Sequence, residues 1–162
     1  MVLLASLPVL ALAQKVTMEF DQGADFSTYK TFFVNPGQLN SKNAALNNDL
    51  VRKNIQAEIR KRLIEKGLME VTSGPRDLNV RFSLGSARRR EVDVYPRGWW
   101  GATRVVTGYT EGTLVVDLRD ARQQSLVWRA MAVEDKSDAP HIERKIPDMV
   151  KKAFEQYPPK RK

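Results

Sequence analysis

Residues 46–67, LNNDLVRKNIQAEIRKRLIEKG, and residues 78–84, LNVRFSL, decide how this chain folds. In the first stretch Leu46, Leu50, Val51, Ile55, Ile59, Leu63 and Ile64 recur at helical spacing, which places them on one face of a helix. Arg52, Lys53, Arg60, Lys61 and Lys66 cover the remainder, a solvated basic face interrupted by Glu58 and Glu65. Gly67 is placed to end the helix, and the cations of its last turn complement the helix dipole. In the second stretch Leu78, Val80, Phe82 and Leu84 alternate with Asn79, Arg81 and Ser83, the period of a strand with one dry face.

Strands stand on both sides of this pair. Upstream, Val16, Met18 and Phe20 alternate with Thr17 and Glu19, residues 21–25 read as a turn, and residues 29–34 form a second β-rich run. Asn35-Pro36-Gly37 is turn chemistry that closes that run, and the polar, Asn-rich residues 39–48 read as a loop into the helix. Downstream, residues 113–118 and 126–133 are strands joined by a short polar connection, hence a β-hairpin, with Trp128 in its core pattern. A second helix follows, capped by Asp138, with Pro140 near its start and Ile142, Ile146, Met149, Val150, Ala153 and Phe154 as its apolar stripe. Pro147 predicts a kink or a fresh start, and Pro158-Pro159 stops the helix. The expectation is an α+β fold, a largely antiparallel sheet with two helices packed on one face. It would be a single domain over residues 14–159, followed by a basic tail at 160–162.

The N-terminus reads as an export signal. Residues 1–13 carry no charge and end in Ala11-Leu12-Ala13, small residues where a signal peptidase cuts, followed by polar Gln14 and Lys15. An apolar run of that length is too short to span a bilayer, which takes about 20 residues. No Lys or Arg precedes it, and Gln14 stands where a lipoprotein would carry its Cys. The reading is cleavage after Ala13, a periplasmic or secreted location, and no transmembrane segment.

Composition narrows the chemistry. The 162 residues hold 27 Lys plus Arg against 19 Asp plus Glu, a formal charge of +8, with no cysteine and one histidine. That removes thiol nucleophiles, disulfides, Cys-containing zinc sites and histidine clusters, so no metal or cofactor is expected. His141 lies at a helix start and reads as a surface residue. Asp117, Asp120, Glu134 and Asp135 are the acids from which a glycosidase-like pair would be drawn, but Asp117 and Asp120 flank a hairpin, where acids favour turns. No phosphate loop, nucleophile elbow or zinc-protease motif is present. No catalytic residue is assigned.

Residues 86–107 are the unusual part. Arg88, Arg89, Arg90, Arg97 and Arg104 surround Tyr95, Trp99 and Trp100, and Pro96, Gly98 and Gly101 mark a loop or a wide hairpin tip. Interleaved cations and aromatics grip single-stranded nucleic acid. Export turns the same chemistry toward anionic lipid head groups or wall polymers, and nucleic acid is not expected. The segment reads equally as a loop whose Trp side chains fold back over the sheet.

Several segments together resemble the bacterial envelope family known as domain-of-unknown-function family 4136. They are Asp25-Phe26-Ser27-Thr28-Tyr29-Lys30-Thr31-Phe32, the helix ending Lys66-Gly67-Leu68, Pro75-Arg76-Asp77-Leu78-Asn79-Val80, and residues 109–118, YTEGTLVVDL. Leu126-Val127-Trp128-Arg129 and the helix end Tyr157-Pro158-Pro159 complete the match, from about Val16 to Pro159. The resemblance implies an exported protein, in many members a lipoprotein, often with a Gly- and Trp-rich insertion where Gly98-Trp99-Trp100-Gly101 stands. It implies no activity. The expected role is a non-catalytic binding or structural module whose partner is an envelope protein, an anionic lipid surface or a cell-wall polymer. The alternative is a hydrolase acting on envelope polymers.

Overall fold

The computed structural model of the chain describes residues 15–85, 92–96, 102–106, 112–134 and 138–160, with 92–96 and 102–106 described as backbone only. The strands are β1 (Lys15–Phe20), β2 (Thr31–Val34), β3 (Gln38–Asn40), β4 (Met69–Glu70), β5 (Leu78–Gly85), β6 (Val92–Pro96), β7 (Ala102–Val106), β8 (Thr113–Asp120) and β9 (Leu126–Val133). The helices are α1 (Asp49–Glu65) and α2 (Ala139–Phe154). The main sheet runs β1-β9-β8-β5-β2-β4, with β3 also paired to β5, and β6 and β7 form a separate two-stranded ladder.

The α+β class holds, with a sheet that is largely antiparallel and turns parallel on one side. The ladders β1–β9, β9–β8 and β8–β5 are antiparallel, whereas β2–β5, β3–β5 and β2–β4 are parallel. The cause is α1. Parallel neighbours need a long crossover, and this helix returns the chain from β3 to the end of the sheet at which β2 began.

Both helices lie on one face. Phe32, Val34, Leu78, Val80, Phe82, Leu84, Leu114, Val116, Leu118, Trp128, Ala130 and Ala132 share one buried cluster with the inward residues of α1 and α2. Trp128 stacks on Phe154 at 5.1 Å between ring centroids, and Tyr157 meets both rings edge-on.

In α1 the buried row is Val51, Ile55, Ile59 and Leu63, a strict four-residue repeat. Leu50 and Ile64, expected on the apolar face, are 79% and 55% exposed. Leu46 is buried, but in a 3₁₀ turn (Ala44–Leu46) ahead of the helix, which starts after the Asn48 cap. The helix ends as its sequence implies. Gly67, at φ 87°, lets Leu68 N–H reach Leu63 O at 3.0 Å and Gly67 N–H reach Ile64 O at 2.9 Å. Asp138 caps α2, which runs unbroken through Pro147.

Asn35-Pro36-Gly37 does not reverse the chain. β2 and β3 lie in succession along the same side of β5, Val34 opposite Val80 and Gln38 opposite Ser83, so the three residues interrupt one course. Gly37 is required there: its φ is 76° and a Cβ would run into the Phe82 ring. Leu39 and Asn40, expected as loop, therefore belong to a strand.

Candidate functional site

Two segments that carry the family resemblance meet where the chain enters β2 and β5. Asp25 opens a 3₁₀ turn (Phe26–Thr28), its carboxylate accepting from Ser27 N–H at 3.2 Å and Ser27 Oγ at 2.8 Å. That turn delivers Tyr29, Lys30 and Thr31 beside Asp77. Asp77 Oδ2 accepts from Lys30 N–H at 2.9 Å, Thr31 N–H at 2.9 Å and Thr31 Oγ1 at 3.0 Å, while Asp77 N–H donates to Thr31 Oγ1 at 3.0 Å. The hydrogen bond from Lys30 leads the causes that hold the Asp77 carboxyl below its ordinary range; those from Thr31 and the nearby Arg122 charge add to it against the desolvation of partial burial.

The third wall is the β8–β9 hairpin. Asp120 Oδ1 accepts from Arg122 N–H and Gln123 N–H, both at 2.8 Å, which folds the turn. Its Oδ2 accepts from the Tyr29 hydroxyl at 3.1 Å. Burial first, and then the Asp120 charge, push the Tyr29 hydroxyl far above its ordinary pKa, so it stays a donor.

Between these walls is a groove of about 520 Å³ lined by Thr31, Arg76, Asp77, Asn79, Arg122 and Gln124, with Gly74 and Pro75 at its margin. A second recess of about 170 Å³ shares Asp77 and Arg122 and continues to Tyr29 and Asp120. Arg76 is held in place, its Nε donating to Asn79 Oδ1 at 2.6 Å and its guanidinium 4.9 Å from the centre of the Phe33 ring. Arg122 is exposed. Both carboxylates are already bound by main-chain N–H groups, so the guanidiniums of Arg76 and Arg122 are the groove's charged donors toward a ligand.

The residues singled out from sequence fall elsewhere. Arg88, Arg89, Arg90, Arg97, Trp99 and Trp100 lie outside the described residues. Tyr95 lies in β6, opposite Thr103 of β7, and the ladder continues to the pair Pro96 and Ala102. Strand pairing thus continues up to Pro96 and Ala102, on either side of the two Trp positions. Residues 1–13 and Asp135 also lie outside the described set.

The acids considered for catalysis have separate partners. Asp117 is bound by Arg129, Asp120 by the hairpin and Tyr29, and Glu134 Oε1 lies 3.1 Å from His141 Nε2. His141 is half-buried rather than a free surface residue, and its N–H donates to the Asp138 cap. Among the described residues no group of three metal-binding side chains occurs, and no helix is long and apolar enough to cross a membrane.

The groove itself escaped the sequence reading. Its residues sit in quoted motifs, but Asp77 and Thr31 are far apart in sequence and neither forms a recognised spacing. The usable signal was that two segments of one family pattern each place a polar residue at the start of a strand.

Comparison with known proteins gives the fold company. A crystal structure of a DUF4136 family protein from Bacteroides thetaiotaomicron is similar with a TM-score of 0.63 at 16% identity, covering 90% of this chain and 96% of that one. The PelC dodecamer from Paraburkholderia phytofirmans is similar at 0.52 and 12% identity, covering 88% and 96%. A PDZ domain protein from Parabacteroides distasonis is similar at 0.51 and 18% identity, covering 90% of this chain but 35% of that one. These likenesses are of fold. No curated protein matches the sequence. The model of the domain of unknown function DUF4136 matches residues 16–159, nearly the whole described fold, and the chain belongs to that family.

Proposed function

We propose that the protein is exported to the periplasm or beyond as a single domain, after cleavage at Ala13, and acts there as a non-catalytic binding module. Its ligand is an envelope component that presents oxyanions, either the phosphates of a lipid surface or the acidic groups of a wall polymer. The observation that carries a binding role over hydrolysis is how the carboxylates are used. Asp77 and Asp120 are each tied by main-chain N–H groups, and Asp117 is tied by Arg129. A glycosidase needs a free pair facing one bond.

Arg76 and Arg122 supply the groove's share of oxyanion contacts, since a guanidinium matches a phosphate or carboxylate with two parallel donors. Arg88, Arg89, Arg90, Arg97, Tyr95, Trp99 and Trp100 supply a second contact surface, with Trp suited to a lipid–water boundary. The net charge of +8 favours such a ligand at long range.

The test is binding of the purified protein to phosphatidylglycerol vesicles, phosphatidylcholine vesicles and soluble peptidoglycan fragments, read by Trp fluorescence and co-sedimentation. The expected result is a salt-sensitive blue shift with one anionic arm and none with phosphatidylcholine. Arg76→Ala with Arg122→Ala should weaken it, and Trp99→Ala with Trp100→Ala should remove the fluorescence response. Equal binding to neutral vesicles, or hydrolysis of the fragments, overturns the reading.

A further inference from the structure

We infer that the outer edge of β1 is a pairing surface for the β1 strand of a second copy of this chain. β1 is the last strand of the sheet, and among the described residues nothing pairs with its outer edge. The opposite edge of the sheet is β4, only two residues long, which is one way proteins protect an edge. β1 has six residues, no proline and an unbroken register with β9 from Lys15↔Val133 to Phe20↔Trp128.

The direction of its free hydrogen-bonding groups follows from that register. Asp21 N–H donates to Val127 O at 2.9 Å, continuing the ladder one step beyond Phe20↔Trp128. In an antiparallel ladder, residues that exchange hydrogen bonds with their partner alternate with residues that do not. Lys15, Thr17 and Glu19 therefore face β9 with their main-chain groups. Val16, Met18 and Phe20 turn theirs outward. A second β1 must meet these outward groups with its own.

One antiparallel arrangement about a two-fold axis does so with matched charge. It centres on Thr17, sets Val16 against the partner's Met18 in both directions, and forms about four main-chain hydrogen bonds. The intervening positions, where side chains lie closest, then hold Thr17 against its own copy and Lys15 against the partner's Glu19, twice by symmetry. Lys15, Thr17 and Glu19 are all exposed, and Val16, Met18 and Phe20 are half-buried with area left to cover. The two charges that an edge strand would carry to repel neighbours are here of opposite sign, at positions that answer each other.

The experiment is sedimentation velocity over a range of concentrations on the protein as recovered from expressing cells. The wild type should show a concentration-dependent dimer. Lys15→Glu or Glu19→Lys should raise its dissociation constant by about tenfold, because each creates two like-charge contacts in the dimer. Lys15→Glu combined with Glu19→Lys should restore dimerisation, which loss of folding does not do. Met18→Pro, which removes an outward N–H and leaves the β9 ladder its donors, should abolish the dimer with the circular dichroism unchanged. A wild type that stays monomeric, or a dimer indifferent to both single reversals, overturns the inference. Neither outcome bears on ligand binding by the groove.

Discussion

Arg129 grips Asp117 through two parallel hydrogen bonds, Nε to Oδ1 and Nη2 to Oδ2, each 2.7 Å, on the sheet face turned away from the helices. Both residues are buried, Asp117 at 6% and Arg129 at 4% exposure. The register places Arg81 opposite Asp117 on its other side and Glu19 beyond Arg129, so charges alternate along one row across four strands.

A buried pair of this kind is costly to break and cheap to replace. Arg129→Met should destabilise the fold by about 3–5 kcal/mol by stranding a buried carboxylate. Asp117→Leu combined with Arg129→Met should recover most of that loss. Urea unfolding of the two variants settles the point; a double variant as weak as the single one shows that the pair is worth more than its burial costs.

The first helix gives a four-way comparison. Ile59→Ala should cost about 2–5 kcal/mol, the usual range for a fully buried Ile. Lys61→Ala, Leu50→Ala and Ile64→Ala should each change stability by less than about 0.5 kcal/mol, since all three side chains are exposed. Equal effects at Ile59 and Leu50 in thermal denaturation would falsify the assignment of the buried face.

Glycine at 37 and 67 should respond differently to the same substitution. Gly67→Ala meets open space and suffers only the left-handed backbone, a cost of about 1 kcal/mol. Gly37→Ala suffers that conformation and a collision with Phe82, and should cost well over twice as much. Guanidinium midpoints that fall together for the two variants mean the β2–β3 interruption relaxes freely.

Asp77 predicts an acid limb. Its carboxyl is held below the ordinary value of 3.8, so it binds fewer protons folded than unfolded. The stabilisation is fully present above that value and drains away as pH falls below it toward the folded pKa. Asp77→Asn should therefore flatten the fall in stability below about pH 4 while lowering stability at neutral pH. Melting temperatures between pH 2 and 7 read this directly, and parallel curves for the two proteins would remove Asp77 from the acid response.

How far the residues announced these features depends on the range of the interaction. Ile55 and Ile59 were legible because a helix repeats its buried face locally, and Trp128 because a strand alternates. Leu50 and Ile64 were not, since spacing gives the direction of an apolar arc and not its width. Residues 38–40 hide as strand because three residues against a parallel neighbour leave no alternation to see. The groove is invisible for a similar reason: the acceptor on Asp77 and its donors at Lys30 and Thr31 are brought together only by the β2–β5 ladder.

The pairing of β1 with β9 joins the first described strand to the last. A chain made or threaded N-terminus first thus presents Val16, Met18 and Phe20 at once and their ladder partners nearly at the end. For most of that interval the strand has no place to go, and the sheet closes only when Leu126–Val133 emerges beside β8. Loss of residues from the C-terminal side before that point leaves the earliest part of the protein as its least protected. Vulnerability to proteolysis during assembly follows from a topology that leaves the first strand waiting for the last.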